Sequence, residues 1–242
     1  IADALTEATG RKIGISDNVR GHRRRWVELA ETNAEQNLGS HLASRNNLKE
    51  RYDSLRVVLE LDTIPSRLEC FDISHSAGEA TVASCVVFDD NGPLKSDYRR
   101  FNIDGITPGD DYAAMSQALS RRYTRLKGGD GNVPDILFVD GGKGQLTQAL
   151  SILAELDMNI LVVAVAKGPE RKAGLEVLFT SDGRELDLPA DTPALHLIQP
   201  IRDESHRFAI TAHRNRRQKK RRESTLEGID GVGPKRRRAL LR

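Results

Sequence analysis

Residues 135–142 read Asp-Ile-Leu-Phe-Val-Asp-Gly-Gly, an apolar run without alternation that ends on a carboxylate and two glycines. A run with no polar face marks a strand covered on both sides, as in the interior of a parallel or mixed sheet. GQLTQALSILAEL (144–156) follows at helical spacing, and ILVVAVAKG (160–168) is a second unbroken run. Strand, helix and strand in this order predict a parallel crossover.

Upstream, RLECFDIS (67–74), EATVASCVVFDD (79–90) and SDYRRFNI (96–103) are three strand candidates, with hairpin punctuation at DDNGP (89–93). ITPGDDYAAMSQALSRRYTRL (106–126) supplies a helix, with Thr107 and Asp110 available as caps. Downstream, LEVLFTSDGRELDLP (175–189) repeats a hairpin signature around Asp182-Gly183, expected to cover a sheet edge. Together these predict an α/β domain over 65–222, a mixed sheet with helices on its faces. Pro200 is expected to break or kink the helical stretch that follows Pro193.

Residues 1–64 are rich in Glu, Ala, Leu, Asn and Arg and read as a helical segment. Leu38, Leu42, Leu48, Tyr52, Leu55 and Leu59 recur every three or four residues, which predicts one apolar face that must pack on something. GHRRRW (21–26) sets three arginines beside the only tryptophan; it reads either as a site for phosphate and base or as a solvated face with a core-anchoring Trp26.

At 242 residues, with 38% hydrophobic and 30% charged residues, the chain has ample material for a core. No stretch reaches the roughly 18 uncharged apolar residues of a spanning helix, so no membrane partner is expected. Cys70 and Cys85 lie in strand-like runs and read as reduced core thiols, from which a cytoplasmic location is expected. The chain opens without methionine and is expected to be a fragment. The net charge of +2 hides an asymmetry: from Arg214 onward there are twelve Lys and Arg against three Asp and Glu. Such a tail attracts nucleic acid without reading its sequence.

Asp72 and Asp140 are carboxylates inside or at the end of apolar strands, where an unpaired charge costs several kcal/mol. Side by side they would repel unless a divalent cation neutralised both, and hard oxygen ligands suit Mg²⁺ or Mn²⁺. The plainer reading makes one or both of them cap or turn residues. Asp110 and Asp111 sit at a helix start, where capping explains one of the two. Asp203 and His206 fall on one helical face, and a histidine there either ligates a cation or delivers a proton; taken alone it is an ordinary surface residue, as are His75, His196 and His213. The spacing of Gly141, Gly142, Lys143 and Gly144 does not fit a phosphate-binding loop, but the glycines would let a DNA phosphate approach, with Lys143 offering charge. GVGPKRR (231–237) couples a glycine turn, Gly231 and Gly233, to Lys235 and Arg236, and the run from Arg214 to Arg222 adds Arg216 and Arg217 as DNA-binding candidates.

ECFDISH, VASCVVF, YRRFNI, GITPGDDYAAM, FVDGGKGQL, VAKGPERKAGLE, ALHLIQPIRDESHR and GVGPKRR, in this order over about 66–242, closely resemble the C-terminal half of the UvrC family of nucleotide-excision-repair nuclease subunits. The resemblance implies a ribonuclease-H-like endonuclease domain over 65–222, preceded by a middle segment (1–64) and followed by a helix-hairpin-helix region truncated after one hairpin (223–242). It implies that Asp72, Asp140 and His206 hold the catalytic cation, with Asp111 a further acidic position needed for incision. It also implies a cut 5′ to a lesion in damaged double-stranded DNA, made on a UvrB–DNA complex. The family's other nuclease domain and its UvrB-contacting segment have no counterpart in these residues, so one incision at most is expected. Two rivals stand beside this reading: a non-catalytic DNA-binding module with structural aspartates, and a nuclease acting on RNA–DNA hybrids, which analogy of fold alone would allow.

Overall fold

The computed structural model describes residues 2–15, 19–74, 81–107, 109–167 and 176–222, with residues 41 and 212–222 described by their backbone alone. The chain divides into two compact units, Ile1–Asn47 and Leu48–Arg242. The first holds α1 (Ala2–Thr9) and most of a long helix, α2 (His22–Val58). Within it Leu38 and Leu42 are exposed and Trp26 is 66% exposed, so the tryptophan is no core anchor.

The apolar pattern of α2 finds its partner only in its last turns, where Tyr52 and Leu55 enter the core of the second unit, followed by Leu59. The sheet of that unit comprises β1 (Arg67–Ser74), β2 (Val82–Asp89), β3 (Gly92–Pro93), β4 (Arg99–Asn102), β5 (Ile136–Asp140), β6 (Leu161–Lys167), β7 (Glu176–Thr180) and β8 (Glu185–Asp187), with helices α3 (Asp111–Lys127), α4 (Lys143–Glu155) and α5 (Pro193–Arg222). The strand order is β3-β2-β1-β5-β6-β7-β8, with β4 also paired to β2. β1, β5 and β6 run parallel, and β2, β4, β7 and β8 join as antiparallel neighbours. The expected mixed sheet is therefore present, and the hairpin at Asp182-Gly183 forms its far edge.

Alternation along β1 explains why nearly all of it is buried. Glu69 and Phe71 meet α3, where Glu69 is bound by Arg122 and Tyr123 and Phe71 packs on Tyr123. Cys70 and Asp72 point to the opposite face, where α5 lies: the Cys70 carbonyl accepts from Ser205 and Asp72 contacts His206. Phe71, Phe138, Tyr123 and Leu68 are almost fully buried, each contributing roughly 1.5–3 kcal/mol of apolar transfer.

α5 does not break at Pro200; it runs uninterrupted from Pro193 to Arg222. A proline inside a helix leaves the carbonyl four residues earlier without its N–H partner. Here that carbonyl belongs to His196, and the Arg51 guanidinium donates to it at 3.2 Å. A side chain from α2 replaces the missing bond, and the helix continues through the proline.

Candidate metal centre

Two adjacent parallel strands set the two carboxylates. β1 and β5 pair with Phe71 opposite Val139, and one further step of the register brings Asp72 level with Asp140 on the same face of the sheet. α5 crosses that face and is pinned at this level by a pair of serines. Ser84, opposite Asp72 in β2, donates to the Ser205 carbonyl at 2.9 Å, and Ser205 Oγ donates to the Cys70 carbonyl at 3.2 Å. The next residue along the helix, His206, then places Nδ1 3.1 Å from Asp72 Oδ2.

One ligand atom each from Asp72, Asp140 and His206 lies within 4.8 Å of the others. Asp72 is buried, Asp140 half-buried and His206 exposed. Burial first, then the charge of Asp140, pushes the Asp72 carboxyl up to about 6; His206 pulls it down and Asp111 pushes it up again. Asp111, at the start of α3, is thus near enough to Asp72 to act on it electrostatically. Asp110 is the cap of that helix, its side chain accepting from Ala113 N at 2.9 Å, so capping explains one of the pair.

The donor set fits a hard divalent cation: two carboxylates and an imidazole nitrogen, with the buried member raised by a like charge beside it.

Other candidate residues fall elsewhere. Lys143 pairs with Glu185 at 3.1 Å and lies 4.8 Å over the Phe179 ring. Gly144 has a packing reason to lack a side chain, because a Cβ there would overlap the Tyr112 ring and hydroxyl. Asp203 is exposed and contacts Arg202 at 3.5 Å, and His196 contacts the Ala190 carbonyl. Arg216 and Arg217 lie in the last turns of α5, described by backbone alone, as is His213; His75, Gly231, Gly233, Lys235 and Arg236 lie outside the described residues.

Sequence reasoning passed over a group beside the centre. Glu176, 1% exposed at the head of β7, is bound by Arg202 at 3.0 Å and by Gln199 at 2.9 Å. Arg202 stands one turn before His206, so this ion pair fixes the rotation of α5 where the histidine is presented. Its only local signal was an arginine and a glutamate within the two quoted segments VAKGPERKAGLE and ALHLIQPIRDESHR.

Comparison with known proteins places the chain in a family. Residues 56–210 match the UvrC RNAse H endonuclease domain, and residues 1–41 match the UvrC Ribonuclease H-like domain. The chain is 62% identical over 244 residues to the UvrABC system protein C of Pseudomonas syringae pv. tomato, and 61% identical over 243 residues to that of Ectopseudomonas mendocina; each match takes in 100% of this chain. It spans 40% of the length of those relatives. Among solved structures it is similar to the endonuclease V of Bacillus subtilis, 12% identical with a TM-score of 0.36 over 67% of this chain and 91% of that one. The catalytic domain of human endonuclease V gives 18% identity and a TM-score of 0.35 over 63% and 74%. With a mixed sheet flanked by helices and a ribonuclease-H-like order of elements, the chain belongs to the UvrC RNase H endonuclease domain family.

Proposed function

We propose that this chain carries a divalent-cation-dependent DNA endonuclease centre that hydrolyses one phosphodiester 5′ to a lesion during nucleotide excision repair. The observation that carries the reading is the convergence of Asp72, Asp140 and His206 from β1, β5 and α5 on one point. Asp72 and Asp140 offer hard oxygen donors and His206 completes the set, so Mg²⁺ or Mn²⁺ is the fitting ion. When bound, such an ion supplies Lewis acidity toward a phosphodiester oxygen and toward water.

The chain's own residues do the rest. Asp72 and Asp140 fix the charge of the site from the rigid rim of the sheet. In this reading the exposed imidazole of His206, where it is not itself a ligand, holds or delivers a proton at the leaving oxygen. Asp111 adds negative charge beside Asp72 and raises the demand for a cation. The substrate is damaged duplex DNA presented by UvrB, held through Lys143, the basic end of α5 with Arg216 and Arg217, and Gly231, Gly233, Lys235 and Arg236 of the GVGPKRR segment. The cytoplasm is the compartment where such a complex would work.

The test is nicking of lesion-containing duplex, with partner proteins supplied, by protein carrying Asp72→Ala or Asp140→Ala, alongside Mn²⁺ titration of the same variants. Loss of both nicking and Mn²⁺ binding is expected. Nicking within a few fold of the parent would remove these residues from the mechanism, and Mn²⁺ binding independent of both aspartates would favour a DNA-binding module with structural carboxylates. Faster cleavage of an RNA–DNA hybrid than of damaged duplex would reassign the substrate.

A further inference from the structure

Strand β4 sits at the sheet edge beyond β2 and bears adjacent arginines. Ser84 of β2 pairs with both Asp72 and Arg100, and Cys85 pairs with both Phe71 and Arg99. Arg100 therefore shares a cross-strand row, and a sheet face, with Asp72, two strands away. At a strand spacing of about 4.8 Å the separation of their backbones is about 10 Å. Arg99 emerges on the other face, beside α3, whose Arg121 and Arg125 are one turn apart and exposed.

These four arginines share a cleft of about 110 Å³ in which, among the described residues, Asp130 is the one lining carboxylate. Arg122 also borders it but is occupied by buried Glu69 at 2.5 Å. Asp97, whose carboxyl also feels Arg99, is bound by Arg67 at 2.7 Å. The exposed guanidinium groups are oriented by carbonyl oxygens, which fix direction without cancelling charge. Arg99 donates to the Ser96 and Tyr98 carbonyls at 2.8 and 2.9 Å, Arg100 to the Phe208 carbonyl at 3.2 Å, and Arg121 to the Asn102 carbonyl at 2.7 Å. Arg100 lies over the Phe208 ring at 3.9 Å from its centroid, and Arg121 over that of Phe101 at 5.8 Å. A guanidinium has five N–H donors in a rigid fork, so each retains donors for a phosphate at little further cost in side-chain order.

From this arrangement we infer that the β4–α3 edge, through Arg99, Arg100, Arg121 and Arg125, is a docking track for the phosphate backbone of the DNA on which the metal centre acts. The choice of DNA over other polyanions rests on the endonuclease reading above. The rival role of edge arginines is to discourage strand addition to a free sheet edge; that role needs charge and no particular partner.

The experiment is fluorescence anisotropy of a labelled duplex with the chain, in a chelator, across salt concentrations from about 50 to 200 mM. Replacing Arg99, Arg121 and Arg125 together by Ala is expected to weaken binding about tenfold to a hundredfold at the lower salt and to reduce the slope of log K against log salt by about 2 to 3, near 0.9 per lost phosphate contact. The matching triple Lys variant is expected to keep most of the slope. An Ala triple with parental affinity and slope overturns the inference, as does a Lys triple that loses as much as the Ala triple. Aggregation without a change of slope assigns the arginines to edge protection and also overturns it. Because binding is read without divalent ions, failure of the endonuclease reading would show as parental protein that neither binds Mn²⁺ nor nicks, independently of the slope.

Discussion

His206 Nδ1 lies 3.1 Å from Asp72 Oδ2 although the residues are 134 positions apart. The contact depends on two settings made elsewhere. The parallel register of β1 with β5 fixes Asp72 beside Asp140, and the serine pair together with Arg202–Glu176 fixes the height and rotation of α5. A centre assembled in this way is sensitive to residues that never touch the cation.

Ser205→Ala tests the first of those supports. It removes the bond to the Cys70 carbonyl and the hydroxyl contact with Ser84, at a cost on the order of 1 kcal/mol. Displacement of His206 is expected to lower Mn²⁺ affinity and kcat several-fold while leaving DNA affinity at parental strength. A loss of melting temperature with unchanged Mn²⁺ affinity would limit Ser205 to a packing role.

The pH dependence of the metal-free protein follows from Asp72. Burial, with Asp140, raises its carboxyl from 3.8 to about 6. The folded state therefore holds the proton more tightly than the unfolded chain. The stability this confers is fully present below about pH 4 and is lost as pH rises through about 6. At about pH 7 the loss attributable to this group is on the order of 2–3 kcal/mol. Thermal melts in chelator should show that decline for the parent and not for Asp72→Asn, and added Mg²⁺ or Mn²⁺ should restore the parent alone. If the parent and Asp72→Asn kept parallel profiles across the window, the raised carboxyl would be refuted.

What was legible in the sequence was what is anomalous locally. A carboxylate in RLECFDIS or at the end of DILFVD violates the apolar pattern around it, so Asp72 and Asp140 stood out from their strands alone. His206 stood out less: one histidine on a polar helix carries no such contradiction, so its place on one face with Asp203 made it a candidate and the resemblance to a family raised it above an ordinary surface residue. The pairing of Glu176 with Arg202 was invisible because each is ordinary in its own segment and unusual only as a buried pair. YRRFNI was readable as a strand, but its position at the edge and the pairing of Arg100 with Ser84 depend on sheet order, which no local pattern encodes. Leu38 and Leu42 show the converse, a helical pattern that stays exposed among the described residues of its unit.

Arg122 and Arg121 are neighbours with opposite surroundings, and they should respond oppositely. Arg122 is buried against Glu69, which is 0% exposed. Arg122→Ala leaves that carboxylate with Arg67 at 3.5 Å and the Tyr123 hydroxyl at 3.1 Å, and should cost about 3–5 kcal/mol. Arg121→Ala, on the exposed side of α3, should melt close to the parent. Urea unfolding of both variants checks this, and an Arg122→Ala protein as stable as Arg121→Ala would show that Glu69 has enough compensation without its closest partner.

The helical course through Pro200 makes the last prediction a coupling between two positions. Arg51 serves the His196 carbonyl only because Pro200 has no N–H to give. Arg51→Ala alone should destabilise by about 1 kcal/mol. Pro200→Ala alone should be stabilising, since an interior proline costs about 3 kcal/mol against alanine and the ordinary backbone bond can form. With that bond in place, Arg51→Ala should cost much less than it does beside proline, giving a coupling on the order of 0.5–1 kcal/mol in a double-mutant cycle. Additive effects would mean that Arg51 contributes by packing alone and that the continuity of α5 has another source.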